Sequence, residues 1–476
     1  MTQNQEADLL STRRSVLFAA TFAAFLTPFL GSSVNLALPF IGKEFNAGAV
    51  GLGWVASSFI LASAMFLLPF GRLADILGRK KIFSAGLLLF SLSSVLVIFC
   101  HSLVSLIAVR IIQGISSAMY FSTSLAIISS VFPPGERGRA MGINITAVYL
   151  GLSAGPVLGG FLTRYLGWRS IFLVLIPVGL AACIMIRMKI KGDWAEAKGD
   201  KFDATGAILY AVSIAAFMFG FSKLPSFYGW VFLGIGILSG IVFLVFERYV
   251  PDPLFSISDF IRNRVFAFSS AAALIHYAAT SATGFFISLY LQYILGFDVR
   301  MAGLIMISQP VLMMIISPFA GRLSDKYNPG VIASAGMGLT AAGLIALCFV
   351  TSDTGTGQII LLLMIMGTGF GLFSSPNSNA IMSSVEKSRL GVASGIVGTM
   401  RMTGQMISMG IAMMILALFI GNKPISPDTH DEFITGMRTG FLIFSALCIL
   451  GIFASLARNN KLKRPAVIYP DSDLLK

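Results

Sequence analysis

Apolar runs of about 18 residues or more alternate along the whole chain with short polar, glycine-bearing or proline-bearing breaks. A hydrocarbon core some 30 Å thick is crossed by roughly 20 apolar residues in helical rise, so each run predicts a spanning helix. The runs lie near 15–38, 51–70, 82–100, 103–131, 141–163, 169–188, 204–222 and 229–247, then near 266–293, 301–319, 332–351, 358–383, 391–420 and 437–457. The pattern predicts an all-α membrane protein with fourteen transmembrane helices. Arg13 and Arg14 precede a first run with no small-residue cleavage site after a short core, which predicts an uncleaved first helix and not a signal peptide.

Between the second and third runs stands GRLADILGRKK, Gly71 to Lys81, which reads as a short charged turn. Gly71 and Gly78 let the backbone approach closely and reverse there. A second copy, GRLSDKYNPG, begins at Gly321, again after an apolar run and a proline (Pro69 and Pro318), at an offset of 250 residues. FSTSLAIISSV at 121–131 is echoed by FSSPNSNAIMSSV at 373–385. The chain therefore reads as a duplicated six-helix unit. The expected organisation is an N-terminal tail (1–14), a first bundle (15–190), inserted helices seven and eight with their linkers (191–264), a second bundle (265–457) and a C-terminal tail (458–476). Two homologous bundles around a midplane site are a common plan of secondary transporters.

Composition agrees with a lipid solvent: 56% of residues are hydrophobic, 12% are charged, and the mean hydropathy is +0.85. The net charge of +13 does not predict a nucleic-acid partner, because the cations fall in short clusters between apolar runs. Twenty-five of the 34 Lys and Arg lie on the side of both termini, seven lie opposite, and Arg110 and Arg401 lie inside predicted helices. That bias places both termini in the cytoplasm. Trp54 and Trp230 fall at outer helix ends, as interfacial anchors do. Cys100, Cys183, Cys348 and Cys448 sit in or beside apolar runs without close spacing, which predicts buried thiols and no metal site. No phosphate-binding GxxxxGK[ST] loop is present, so ATP-driven pumping by this chain is not expected.

Gly71-Arg72-Leu73-Ala74-Asp75-Ile76-Leu77-Gly78-Arg79-Lys80 resembles the cytoplasmic loop signature of the major facilitator superfamily, and Arg110-Ile111-Ile112-Gln113-Gly114 resembles its helix-four signature. Gly151-Leu152-Ser153-Ala154-Gly155-Pro156-Val157-Leu158-Gly159-Gly160 resembles the helix-five signature of the antiporter branch. Ser33-Val34-Asn35-Leu36-Ala37-Leu38-Pro39, with fourteen spans, is similar to the fourteen-helix drug:proton antiporter subgroup. The resemblance covers nearly the whole chain. It implies the major facilitator fold, two six-helix bundles plus two linking helices. It also implies a monomeric secondary active transporter of the cytoplasmic (inner) cell membrane. The expected activity is proton-linked efflux of small amphipathic compounds by alternating access, driven by a proton gradient with no cofactor. An uptake carrier or facilitator of a polar or anionic metabolite is the alternative. A membrane-embedded enzyme or sensor fits least, because the membrane runs hold no cluster of titratable groups and the tails are too short for a signalling domain.

Several residues are candidates for function. Gly71, Arg72, Asp75, Gly78, Arg79 and Lys80, with Asp325 in the repeat, either form a solvated turn that sets orientation or latch one packing of the halves. Ion pairs and a helix dipole favour a carboxylate so placed. The resemblance implies that Asp75 latches the outward-facing state against helix thirteen. Asn328-Pro329-Gly330 replaces the cationic end in the repeat, so the second latch should be weaker. Gly151, Gly155 and Gly159 form a smooth stripe for close helix packing, with Gly160 beside it and Pro156 adding a kink. An arginine at mid-membrane costs roughly 2.5–3.5 kcal/mol on insertion scales, so Arg110 and Arg401, with Gln113 and Gln405 close by in sequence, are either kept for coupling or substrate contact, the role that the resemblance implies for Arg110, or structural arginines satisfied by nearby polar groups. All 21 acids fall in loops, tails or helix ends, and helix one reads Gly31-Ser32-Ser33 where related drug antiporters carry an aspartate. His276 is the histidine well inside a helix, a candidate for proton coupling or a neutral hydrogen-bonding group. Asn35, Gln113, Tyr149, Gln309, Asn377, Asn379 and Gln405 are expected to line the cavity among Phe and Met. That cavity should be electropositive.

Overall fold

The computed structural model describes residues 3–45, 49–190, 192–224, 226–254, 262–297, 299–420 and 429–458. Among them the regular structure is helical throughout. The chain runs through α1 (Gln3–Phe45), α2 (Ala49–Leu77), α3 (Arg79–Leu96), α4 (Leu103–Val131), α5 (Pro134–Leu166), α6 (Ser170–Lys189), α7 (Ala204–Ser222) and α8 (Phe227–Phe246). It continues through α9 (Arg264–Leu289), α10 (Met301–Lys326), α11 (Pro329–Leu347), α12 (Thr356–Ser383), α13 (Leu390–Phe419) and α14 (His430–Ala457). Among the described residues twelve helices are long and apolar enough to cross a bilayer, thirteen when the two parts of α5 count as one span. Those parts, Gly135–Gly155 and Val157–Leu166, meet at 43°, at the position of Pro156.

Two sequence boundaries move. The segment expected as a tail, 1–14, is helical from Gln3 onward and continuous with α1. The charged stretch expected as a turn is helix as far as Leu77, because Leu73, Ala74, Ile76 and Leu77 are compatible with helix and the Gly78 amide closes the last turn on Ala74 O (2.9 Å). The reversal is confined to Gly78, at φ 116°, a conformation that glycine adopts without strain.

Packing follows the duplication. Within the first half, α5 lies along α1 because its stripe carries no side chains. A Cβ on Gly151 would stand 2.7 Å from Phe25 O and 3.0 Å from Phe29 N, and one on Gly159 would stand 2.5 Å from Ser33 Oγ. Gly155 is equally tight against Ser32 and accepts a hydrogen bond from Ser33 Oγ at its carbonyl (3.0 Å), whereas Gly160 is only half-buried, off the stripe. The second half repeats the design. Gly404 of α13 faces Leu274 O of α9 (2.6 Å to a built Cβ), and Ser408 Oγ accepts from Ala282 N at 2.9 Å. Between halves, the second helix of each packs on the fifth of the other, α2 on α13 and α10 on α5. A Cβ on Gly142 would lie 2.7 Å from Ser317 O, and one on Gly395 would lie 2.7 Å from Leu67 O.

The inserted pair α7 and α8 pack on each other and flank the α2–α13 seam. There the Tyr210 hydroxyl donates to Ala64 O (3.2 Å) and hydrogen-bonds Thr399 Oγ1 (2.8 Å). Ile237, Leu238 and Ile241 of α8 are exposed, as lipid-facing side chains are. At the far end of α1, Glu44 takes two hydrogen bonds from Arg169 (2.7 and 3.0 Å) and one from Trp168 (2.7 Å). Arg169 holds the Glu44 carboxyl below the usual carboxylate range.

Arg458 departs from its expected place at the start of a tail. It is 2% exposed and donates to Asn377 Oδ1 (2.7 Å), Ser269 Oγ (2.9 Å), Ser455 Oγ (2.9 Å) and Gly330 O (3.0 Å), so it belongs to the second half. The run ends at Ala457 because a cation follows it, but that cation turns inward to buried acceptors of the second half.

Two stability outcomes follow. Gly151→Leu must push α5 off α1 and is expected to lose about 1–3 kcal/mol by overpacking; an unchanged thermal midpoint in detergent would contradict this packing. Arg458→Met strips several buried acceptors of a charged donor and is expected to cost on the order of 3 kcal/mol. Arg458→Lys should recover only part of that, lacking the planar fork. Equal stability of the three proteins would show that the network contributes nothing.

Candidate functional site

A cavity of about 600 Å³ lies between the halves, walled by the first, second, fourth and fifth helices of each: α1, α2, α4 and α5, then α9, α10, α12 and α13. Its size suits a drug-sized ligand. The wall of each helix is a stripe at i, i+4 spacing, such as Phe370, Ser374 and Ser378 on α12 or Val397, Arg401 and Gln405 on α13. No aspartate or glutamate stands in this wall among the described residues, while Arg110 and Arg401 both do.

The structure brings together Arg110, Tyr149, Gln309, Arg401 and Gln405 of the sequence-predicted residues. Four others stand behind the wall. Gln113 is turned toward α3, donating to Ser94 Oγ (3.2 Å) while its Oε1 accepts from Arg110 Nη1 (3.0 Å). Asn377 and Asn379 flank the α12 stripe, since residues two apart on a helix point about 200° apart. Asn377 is held by Arg458 and by Ser269 O, and Asn379 donates to Ser324 Oγ (3.0 Å). His276 is buried with its ring 4.0 Å from Phe373 and 4.7 Å from Phe370, and neither ring nitrogen has a hydrogen-bond partner among the described residues. The side chains of Asn35 and Pro156 lie outside the described residues. Sequence reasoning missed Asn144, Tyr277, Phe370, Ser374 and Ser378; i, i+4 spacing puts Phe370, Ser374 and Ser378 on one face but does not tell that this face meets the chamber.

The two arginines are held differently. Arg110, 1% exposed, donates from Nε to Val55 O (3.0 Å) and from Nη1 to Gln113, with its guanidinium 4.4 Å over the Phe59 ring. Arg401 lies 4.7 Å over the Phe121 ring of α4, and its Nε is buried without a partner among the described residues.

One end of the cavity is closed by two carboxylates that cross between halves. Asp75, fully buried, accepts from Gly391 N (2.9 Å) and Val392 N (3.0 Å) in the first turn of α13. Its Oδ1 also takes Arg79 Nε (2.9 Å) and Nη2 (2.7 Å). Arg79 reaches onward to Ser130 Oγ (2.7 Å) and to Lys387 O just before α13. A Cβ on Gly71 would lie 2.5 Å from Gly391 O, so the glycine is required at this crossing. In the repeat, Asp325 accepts from Gly138 N (2.8 Å) and Arg139 N (3.0 Å) near the start of α5, and Gly321 meets Gly138 as Gly71 meets Gly391. Pro329 stands where Arg79 would be, four residues on, so Asp325 lacks the arginine that pairs with Asp75. The linker from α6 to α7 covers the first crossing: Asp193 accepts from Lys80 N (2.8 Å), and Asp200 pairs with Arg72 (2.8 Å).

Comparison with known proteins agrees with this geometry. The family model described as Major Facilitator Superfamily matches residues 20–407 and, in a second match, 269–468. The riboflavin transporter RibZ of Clostridioides difficile is 26% identical over 449 residues, covering 93% of this chain and 96% of RibZ. The multidrug resistance protein Stp of Mycobacterium tuberculosis is 29% identical over 416 residues, 86% of this chain and 77% of Stp. Among solved structures, the human organic anion transporter MFSD10 (TETRAN) superposes with a TM-score of 0.66 over 95% of this chain and 100% of MFSD10, at 14% identity. With a family model spanning most of the sequence and a chamber between two related bundles, the chain belongs to the Major Facilitator Superfamily and is a multi-pass membrane transporter, not an enzyme.

Proposed function

We propose that this protein is a proton-linked exporter of small amphipathic compounds, acting as a monomer in the cytoplasmic membrane with both termini inside. The observation that carries the reading is the chamber between the halves, shut at one end by carboxylates that bind the other half's backbone. The cation count makes that end cytoplasmic, so this conformation is the one closed to the cell interior. Opening it requires Asp75 to release Gly391 and Val392, and Asp325 to release Gly138 and Arg139. Hydrogen bonds to charged groups are worth about 1.5–3 kcal/mol each, enough to hold one state without locking it. Arg79 sits on the same half as Asp75, so the carboxylate keeps its counter-ion when the halves part. The multidrug resistance protein among the relatives supports export.

A second reading, an uptake carrier or facilitator of a polar or anionic metabolite, is favoured by the lack of a chamber carboxylate among the described residues and by the riboflavin transporter among the relatives. A proton can then act at the latch, on Asp75 or Asp325, or at His276.

In proteoliposomes an imposed pH gradient is expected to accelerate efflux, and its collapse to abolish the acceleration; a rate indifferent to the gradient would favour the facilitator. His276→Gln separates the two places of coupling. Its position behind the chamber wall favours retained gradient-driven efflux, whereas loss would assign coupling to His276. Asp75→Asn is expected to slow transport about tenfold or more while substrate affinity moves less than roughly threefold, with a smaller loss for Asp325→Asn. Affinity falling as far as the rate would remove the latch role.

A further inference from the structure

Arg401 is a cation without an answering group. No hydrogen bond and no carboxylate reaches it among the described residues, its Nε is buried, and its described neighbours are the face of Phe121 and, through its charge, Tyr149. Arg401 is part-buried on the chamber wall, and a charge so placed inside a membrane protein without a protein counter-ion is free to hold a ligand or ion. Nor does the fold ask for it. The repeat carries Gly138 and Gly142 onto Gly391 and Gly395, an offset of 253, and the same offset places Val148 in α5 where Arg401 stands in α13. Val148 lines the same chamber from the other half, so this helix position packs with an apolar side chain. Arg110, by contrast, has its donors engaged by Val55 O and Gln113.

Aromatic faces share the chamber with this charge. Tyr149 stands edge-on to Phe370 at 6.1 Å and Tyr277 to the same ring at 5.4 Å, and all three line the wall, as does Gln405 one turn beyond Arg401. We propose that the chamber binds ring-bearing organic anions, with Arg401 holding the carboxylate or sulfonate, Gln405 assisting, and the ring lying among Tyr149, Tyr277 and Phe370. This rests on the transporter reading for its consequence, since the anchor then selects what is moved.

The test uses the full chain in nanodiscs, with fluorescein, 2-naphthoate and ethidium as probes and binding read by fluorescence. The wild type is expected to hold fluorescein at least about tenfold more tightly than ethidium, a margin of about 1.4 kcal/mol. Arg401→Gln should remove that preference by weakening the anions and sparing ethidium, and Arg401→Lys should keep part of it. Ethidium bound as tightly as fluorescein by the wild type would overturn the assignment, a comparison that needs no variant to fold. So would equal weakening of all three probes by Arg401→Gln, which is what a merely structural arginine would give. Transport is then measured in liposomes. Fluorescein bound but not moved would defeat the reading that such compounds are exported and leave the anchor standing; ethidium moved while neither anion binds would do the reverse.

Discussion

The fully buried carboxylate of Asp75 ties the start of α13 to the first half. The oxygens of Asp75 take two backbone amides from the first turn of α13 and two donors from Arg79, so a charge with no access to water is satisfied from both sides of the seam. The arrangement has geometric requirements that the rest of the structure meets. Amides can be offered only by the start of a helix, where no earlier carbonyl claims them. The carboxylate can reach them only if the backbones touch, hence Gly71 against Gly391. With α2 pinned to α13, and α10 to α5 through Asp325, the four central helices converge at one end and leave the chamber beyond it.

The duplication is imperfect in ways that matter. Asp75 carries its counter-ion along, whereas Asp325 draws its donors from across the seam and has Pro329 in place of an arginine. Arg458, arriving from the end of α14, binds the carbonyl of Gly330 at the start of α11. It braces the second half where the first half is braced by Arg79. The inserted pair is one-sided as well, since Tyr210 of α7 bonds helices of both halves at the α2–α13 seam. The two seams are therefore held by different contacts, and the inserted pair braces one of them from the side.

Electrostatics inside the chamber follow from an absence and two presences. Acids were already confined to loops, tails and helix ends, and of the serines of Gly31-Ser32-Ser33, Ser33 is bonded to the α5 stripe while Ser32 lines the chamber. The wall accordingly carries two guanidinium groups and no described carboxylate, and of the two, Arg401 is the one whose donors are uncommitted.

The spans and the repeat were legible in the sequence because lipid imposes them residue by residue: length and hydropathy need no knowledge of neighbours. Arg110 and Arg401 stood out for the same reason, as charges where charge is costly, and Asp75 and Asp325 as the carboxylates of a repeated charged motif. Sequence could not say which face of α12 meets the chamber, so Asn377 and Asn379 were placed there in error while Ser374 and Ser378 were passed over. Nor could it show that Arg458 turns inward or that Gly138 and Gly391 are the partners of the latch glycines. Those facts depend on the rotation of each helix about its own axis and on contacts between residues some 120 to 320 positions apart. Only the packed bundle settles such matters, because a helix's polar stripe has no direction until another helix lies against it.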